Sequence, residues 1–171
     1  MRRCTQKGFT LIELVLMMVL LGILSAVAIA TLPNLGIAKV EAAATKVQAD
    51  LMYVRQLARN RNGTYGIIFD TVNNQYTVFL FNPGTNTKTT LTDPLTLASM
   101  VTDFKKIQGL KGVTLQSTSI GGTSEVRFTP QGIPQNGSGT PLGLSGSVVV
   151  QEAGASRTIT IQSGTGEVTH S

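Results

Sequence analysis

The sequence predicts an α+β chain, one long N-terminal helix followed by a β-rich head, on three observations. The first is an uncharged apolar run from Leu14 to Leu32. The second is a further apolar series, Val40, Ala44, Val47, Leu51, Val54 and Ala58, whose steps of four and three residues mark one face of a helix. The third is a change after Asn62-Gly63 to short segments rich in Val, Ile, Thr and aromatic residues, separated by Gly, Pro, Asn and Thr, as strands and turns require.

The segment before the apolar run carries Arg2, Arg3 and Lys7 and no acid, whereas beyond the run Lys39 is soon offset by Glu41. That asymmetry predicts a cytoplasmic N-terminus and an exported remainder. Leu14 to Leu32 is 19 residues long. At about 1.5 Å per residue it makes about 28 Å of helix, which matches a bilayer core of about 30 Å. Glu13 stands at the edge of the run as its single charge. A carboxylate costs roughly 2.5 to 3.5 kcal/mol at the centre of a membrane helix and less near the interface, so Glu13 calls for a partner.

Gly8 followed by Phe9-Thr10-Leu11-Ile12-Glu13, beside a spanning run, resembles the class III signal of prepilins, the precursors of type IV pilins and of the pseudopilins of type II secretion. The resemblance implies that residues 1–8 are a leader cut after Gly8 by a prepilin peptidase, and that the new N-terminal Phe9 is N-methylated. It also implies the partner of Glu13, the Phe9 amine of a neighbouring subunit. Pairing the two charges offsets much of the desolvation cost and sets the stagger between subunits. Other implied partners are further pilins or pseudopilins, the peptidase and methyltransferase, and an inner-membrane assembly platform. The implied location is the inner membrane in a single pass with the head periplasmic, and then a periplasmic or extracellular filament. Loss of Arg2, Arg3 and Lys7 takes the 14 basic side chains to 11 against 9 acidic ones, and the formal net charge from +5 to +2. Cys4, the single cysteine, leaves with the leader, so the mature chain forms no disulfide and no cysteine-ligated metal site. A competing reading takes Ala28-Ile29-Ala30 as the cleavage site of an ordinary secretory signal and releases an exported binding domain beginning near Thr31. Glu13 inside the apolar stretch speaks against it.

Pro33 is expected to kink or interrupt the helix, which divides the chain into residues 1–8, 9–33 as the membrane or filament-core half, 34–62 as the amphipathic half, and 63–171 as the head. Tyr65 to Phe69 and Gln75 to Phe81 read as a hairpin about Asp70 to Asn74. Later strands are expected at Gly112–Ser117, Ser124–Thr129, Ser147–Gln151, Arg157–Gln162 and Glu167–Thr169. Asn82 to Thr96 and Pro130 to Gly146 read as loops, and Pro94 to Val101 as the place for a helical turn.

Val126-Arg127-Phe128-Thr129-Pro130-Gln131-Gly132, then Ser147-Val148-Val149-Val150, Arg157-Thr158-Ile159-Thr160-Ile161 and Gly166-Glu167-Val168 resemble the GspH/FimT group of minor pseudopilins and minor pilins. This resemblance implies a pilin-like head of two packed antiparallel sheets and a low-abundance subunit near the filament tip, active in assembly and initiation. Some minor pilins of the group bind DNA in natural transformation through a C-terminal glycine and closely spaced arginines. Here Gly154-Ala155-Ser156-Arg157 keeps the glycine and one arginine and lacks the second basic residue. Arg157 and the group Lys105, Lys106 and Lys111 are the candidate DNA contacts under that alternative reading. No catalytic residue, cofactor or metal is expected. His170 is the single histidine, the acids are scattered, and no serine lies in a nucleophile motif.

Overall fold

The structure, a computed structural model, describes residues 9–31, 33–94 and 96–171, and their side chains except those of residues 27–34. Gly8, the basic residues and Cys4 before it, and Leu32 lie outside the described residues. Thr10 starts the first helix, α1 (Leu11–Thr31), by accepting the Glu13 amide on its carbonyl at 3.1 Å and on its hydroxyl at 3.4 Å. That is one half of a capping box, with the threonine at the cap and the glutamate three residues on. All described side chains from Leu11 to Ala26 are exposed. Among the described residues no helix is long and apolar enough to cross a membrane.

Helix α2 (Pro33–Asn60) begins on proline, whose fixed φ and missing N–H suit a first helical position. Its buried stripe is Val40, Ala43, Ala44, Val47, Leu51, Val54 and Ala58. The helix stops where Asn62 turns left-handed at φ 49° and the Gly63 amide reaches back to the Ala58 carbonyl at 3.2 Å. This six-to-one bond is the Schellman closure, and asparagine tolerates the left-handed position better than most residues. The chain falls into two units, residues up to Leu35 and Gly36–Ser171.

Among its described residues the second unit holds ten strands, β1 (Thr64–Asp70), β2 (Gln75–Asn82), β3 (Thr87–Thr90), β4 (Val101–Asp103), β5 (Thr114–Ser119), β6 (Glu125–Phe128), β7 (Pro134–Asn136), β8 (Gly146–Glu152), β9 (Ala155–Ile161) and β10 (Val168–His170). They form two antiparallel sheets. One has the order β3-β2-β1-β6-β7 with β4 also on β2, and the other β10-β9-β8-β5. The α2 stripe joins Tyr65, Ile67 and Phe69 of β1, Tyr76 and Val78 of β2, and Val148, Val150, Ile159 and Ile161 of β8 and β9 in one core. All of that core lies in the second unit, which therefore carries what an independently folding domain needs.

Strands β3 and β7 lie in segments expected to be loops, and β4 shares only Val101 with the expected turn. They are short and polar: Thr87-Lys88-Thr89-Thr90 is exposed throughout and is held by backbone pairing to β2 rather than by an apolar face. Among the described residues between Pro94 and Val101 the expected helical turn is not continued into a helix. A single i to i+4 bond from the Leu97 amide to the Asp93 carbonyl, 2.9 Å, sits inside a Thr92–Ser99 bridge, and Leu97 has φ 56°. Asn74 fixes the β1–β2 hairpin to the start of β5. Its buried amide donates to the Val113 carbonyl and accepts the Leu115 amide, both at 2.7 Å, which satisfies backbone groups that would otherwise be buried unpaired.

Candidate functional site

The N-terminal group of expected site residues is exposed. Phe9 is 74% accessible, and Glu13 lies in the first turn of α1. The Glu13 carboxylate has no ion pair or hydrogen bond among the described residues; Thr10 engages only its backbone. Around it Leu11, Ile12, Leu14, Val15, Leu16, Met17 and Met18 are at least half or nearly half exposed. A helix apolar all round with one uncompensated acid at its start is built to be buried by something other than its own chain.

The candidate basic residues are not gathered into one surface. Arg157 lies on β9 opposite Val150, and its Nε donates to Glu41 Oε2 of α2 at 2.8 Å while Nη1 donates to the Ser156 carbonyl at 3.1 Å. Lys106 Nζ is 3.4 Å from Asp103, and the Lys105 amide donates to the same carboxylate at 2.9 Å, beside β4 of the other sheet. Lys111 offers its carbonyl to Lys39 Nζ, 3.0 Å away, which also pairs with Glu152 at 2.9 Å. Arg157 thus acts as a tie between helix and sheet.

The same tie includes His170, which no short-range motif could have marked. Gln48 Nε2 donates to the Val168 carbonyl at 2.9 Å, and this turns Gln48 Oε1 toward His170 Nδ1, 2.6 Å away. Glu41 Oε1 faces His170 Nε2 at 2.8 Å. Both ring nitrogens meet acceptors, so only the imidazolium makes both bonds. Hydrogen bonds from Arg157, and then from His170, hold the Glu41 carboxyl below its ordinary value. A carboxylate lowered in the folded state adds stability above its unfolded pKa and loses that contribution as pH falls through the folded one. Glu41→Gln is therefore expected to lower domain stability near neutral pH, with the gap to the parent closing below about pH 4.5, the ordinary value. Denaturant midpoints measured across pH check this, and a gap independent of acid pH would contradict it.

Two further clusters were not apparent from local sequence. On the face of the first sheet away from α2, the buried Glu125 carboxylate takes both Arg127 Nε and Lys88 Nζ, and the Arg127 guanidinium stacks 3.8 Å from the Phe81 ring centre. At the C-terminal end of α2, turns from the two sheets meet on Arg55 and Arg59. Gly132 has φ 80° and Gly166 φ 68°. A Cβ on Gly166 would lie 2.5 Å from the Gly132 carbonyl oxygen and 3.2 Å from Arg55 Nε, and one on Gly132 would lie 3.0 Å from Arg59 Cδ. Both glycines belong to the segments that resemble the GspH/FimT group, and the close approach explains why those positions carry no side chain. Among the described residues no three His, Cys, Asp or Glu side chains are grouped to hold a metal.

An apolar helix with an N-terminal glutamate, followed by a two-sheet domain built on an amphipathic helix, defines a filament subunit of the pilin class. Residues 43–165 match the family model described as type II transport protein GspH, and residues 3–29 match the prokaryotic N-terminal methylation motif. The chain belongs to the GspH family and is a structural subunit, a minor pseudopilin or minor pilin, rather than an enzyme. No curated protein matches it in sequence. In fold it is similar to the minor pseudopilin EpsH from the type 2 secretion system of Vibrio cholerae, at 12% identity and a TM-score of 0.58, over 78% of this chain and 96% of that one. It is also similar to the type IV minor pilin FimU of Pseudomonas aeruginosa, at 15% identity and a TM-score of 0.51, over 81% of this chain and 90% of that one.

Proposed function

We propose that this minor subunit is cut after Gly8, is N-methylated at Phe9, and initiates a type II secretion pseudopilus or type IV pilus near whose tip it stays. The observation that carries this reading is the Glu13 carboxylate, without a partner among the described residues, at the start of a helix with exposed apolar side chains on all sides. Before assembly the run from Leu14 to Leu32 anchors the chain in the inner membrane, with the leader cytoplasmic and residues 63–171 periplasmic, where a prepilin peptidase and methyltransferase and then an assembly platform act on it. In the filament residues 9–33 pack in the core, and Glu13 of one subunit pairs with the Phe9 amine of the next. Residues 34–62 carry the head. The methylation-motif match over residues 3–29 favours this processing over release by signal peptidase near Thr31. A DNA-uptake role gains no support, because Arg157 and Lys106 are already paired to Glu41 and Asp103.

Gly8→Val is expected to leave the leader attached and to reduce the number of filaments per cell, because an unprocessed initiator has no Phe9 amine to offer. Intact mass and filament counts by electron microscopy read the two effects. Continued cleavage would overturn the processing site, and retention of the leader with unchanged filament number would overturn initiation.

A further inference from the structure

Lys39, Lys46, Lys88, Lys106, Arg127 and Arg157 each have a carboxylate within 3.4 Å. Arg61, Lys105 and Lys111 have none among the described residues, and neither do Arg55 and Arg59. Arg55 and Arg59 stand one turn apart on α2 over a groove of about 550 Å³, and Gln56 and Asn60 add amide groups to its wall. Arg55 gives one bond, Nη2 to the Thr165 carbonyl at 2.8 Å, and its Nε is shielded from water and meets no acceptor. The guanidinium is thus partly desolvated without a counter-charge. Glu167 also lines the groove, yet it pairs with neither arginine.

Like charges four residues apart on a helix repel. The negative end of the α2 dipole offsets part of that repulsion. An oxyanion between the two guanidinium groups would offset the rest and supply an acceptor for their free donors. The turns at Gly132 and Gly166 approach Arg55 Nε and the Arg59 methylenes, while Arg59 stays exposed to a partner. Met52 and Val168 give the groove an apolar wall that suits the methylenes of an acidic side chain.

We propose that this groove is a docking site for an acidic segment of a neighbouring filament subunit, one carboxylate of which bridges Arg55 and Arg59. The proposal rests on the filament-subunit class of the chain, and supplies a protein contact separate from the Glu13 pairing. It is tested on the domain Gly36–Ser171, which holds its whole core, by fluorescence anisotropy with labelled hexaglutamate and, in parallel, an oligothymidylate. Hexaglutamate is expected to bind at low salt, to weaken with added salt, and to lose about tenfold or more in affinity in R55Q/R59Q, with K105Q/K106Q unchanged. R59Q alone, whose guanidinium makes no bond in the folded domain, is expected to weaken binding without changing the melting temperature. Absence of hexaglutamate binding at low salt, equal loss in K105Q/K106Q, or tighter binding of oligothymidylate through the same arginines would each overturn the proposal. None of these outcomes bears on cleavage after Gly8 or on Glu13, which the leader and filament assays read separately.

Discussion

Glu13→Ala is expected to abolish entry into the filament while leaving the domain folded and the leader removed. Among the described residues the carboxylate has no ion pair or hydrogen bond, so its loss costs the monomer little. Substitution also removes the one side-chain charge of α1. In the filament the change would leave the Phe9 amine of the neighbour unpaired in an apolar core, and breaking a buried pair by removing one partner costs about 3 to 5 kcal/mol. That is a loss of at least about a hundredfold in assembly equilibrium at each such contact. Co-purification with filaments sheared from cells, set against the amount retained in membranes, measures the effect. Glu13→Asp is expected to restore part of it. Normal assembly of the alanine variant would sink the pairing argument.

The largest effect on folding is expected at Gly66, in the middle of β1. A Cβ there would stand 2.6 Å from the Val126 carbonyl oxygen and 2.7 Å from Phe79 Cζ. The first of these is backbone in the paired strand β6, opposite Arg127 in register, and cannot move without opening the ladder. The second is the ring that covers this position on the sheet face away from α2. Gly66→Val therefore combines overpacking with a broken strand pair, and a loss of more than about 4 kcal/mol is expected, enough to unfold a domain of ordinary stability. Gly143→Ala is the control: nothing lies within 4 Å of its Cβ position, so it should stay within about 0.5 kcal/mol of the parent. Denaturant unfolding of the domain compares the two, and equal stability would show that β1 and β6 can part at Gly66.

These two sites differ in how readily sequence shows them. The Gly8 to Glu13 signal is local: six neighbouring residues and the run beside them carry it, and no distant contact is needed to read it. The α2 stripe and the strands with alternating or continuous apolar residues are legible for the same reason, since helical and extended periods are short-range properties. Strands β3 and β7 were hidden because edge strands of three or four polar residues carry no apolar period; they exist through pairing to β2 and β6. Charge counting does not show which carboxylates the fold brings up to Arg157 and Lys106. Glu41 and His170 are 129 residues apart in sequence and 2.8 Å apart in space. Arg55 and Arg59 read as ordinary solvated positions on a helix, and only the fold shows that they share one groove beside the Gly132 and Gly166 turns.

The account turns on the new N-terminus, because Glu13 has a partner only if cleavage exposes the Phe9 amine. The most direct measurement is the intact mass of the protein extracted from cell membranes, with fragmentation of its first residues. A chain beginning at Phe9 and carrying a single methyl group on its amine is the expected result. A chain beginning near Thr31, or one that still carries Arg2, Arg3 and Lys7, would contradict it.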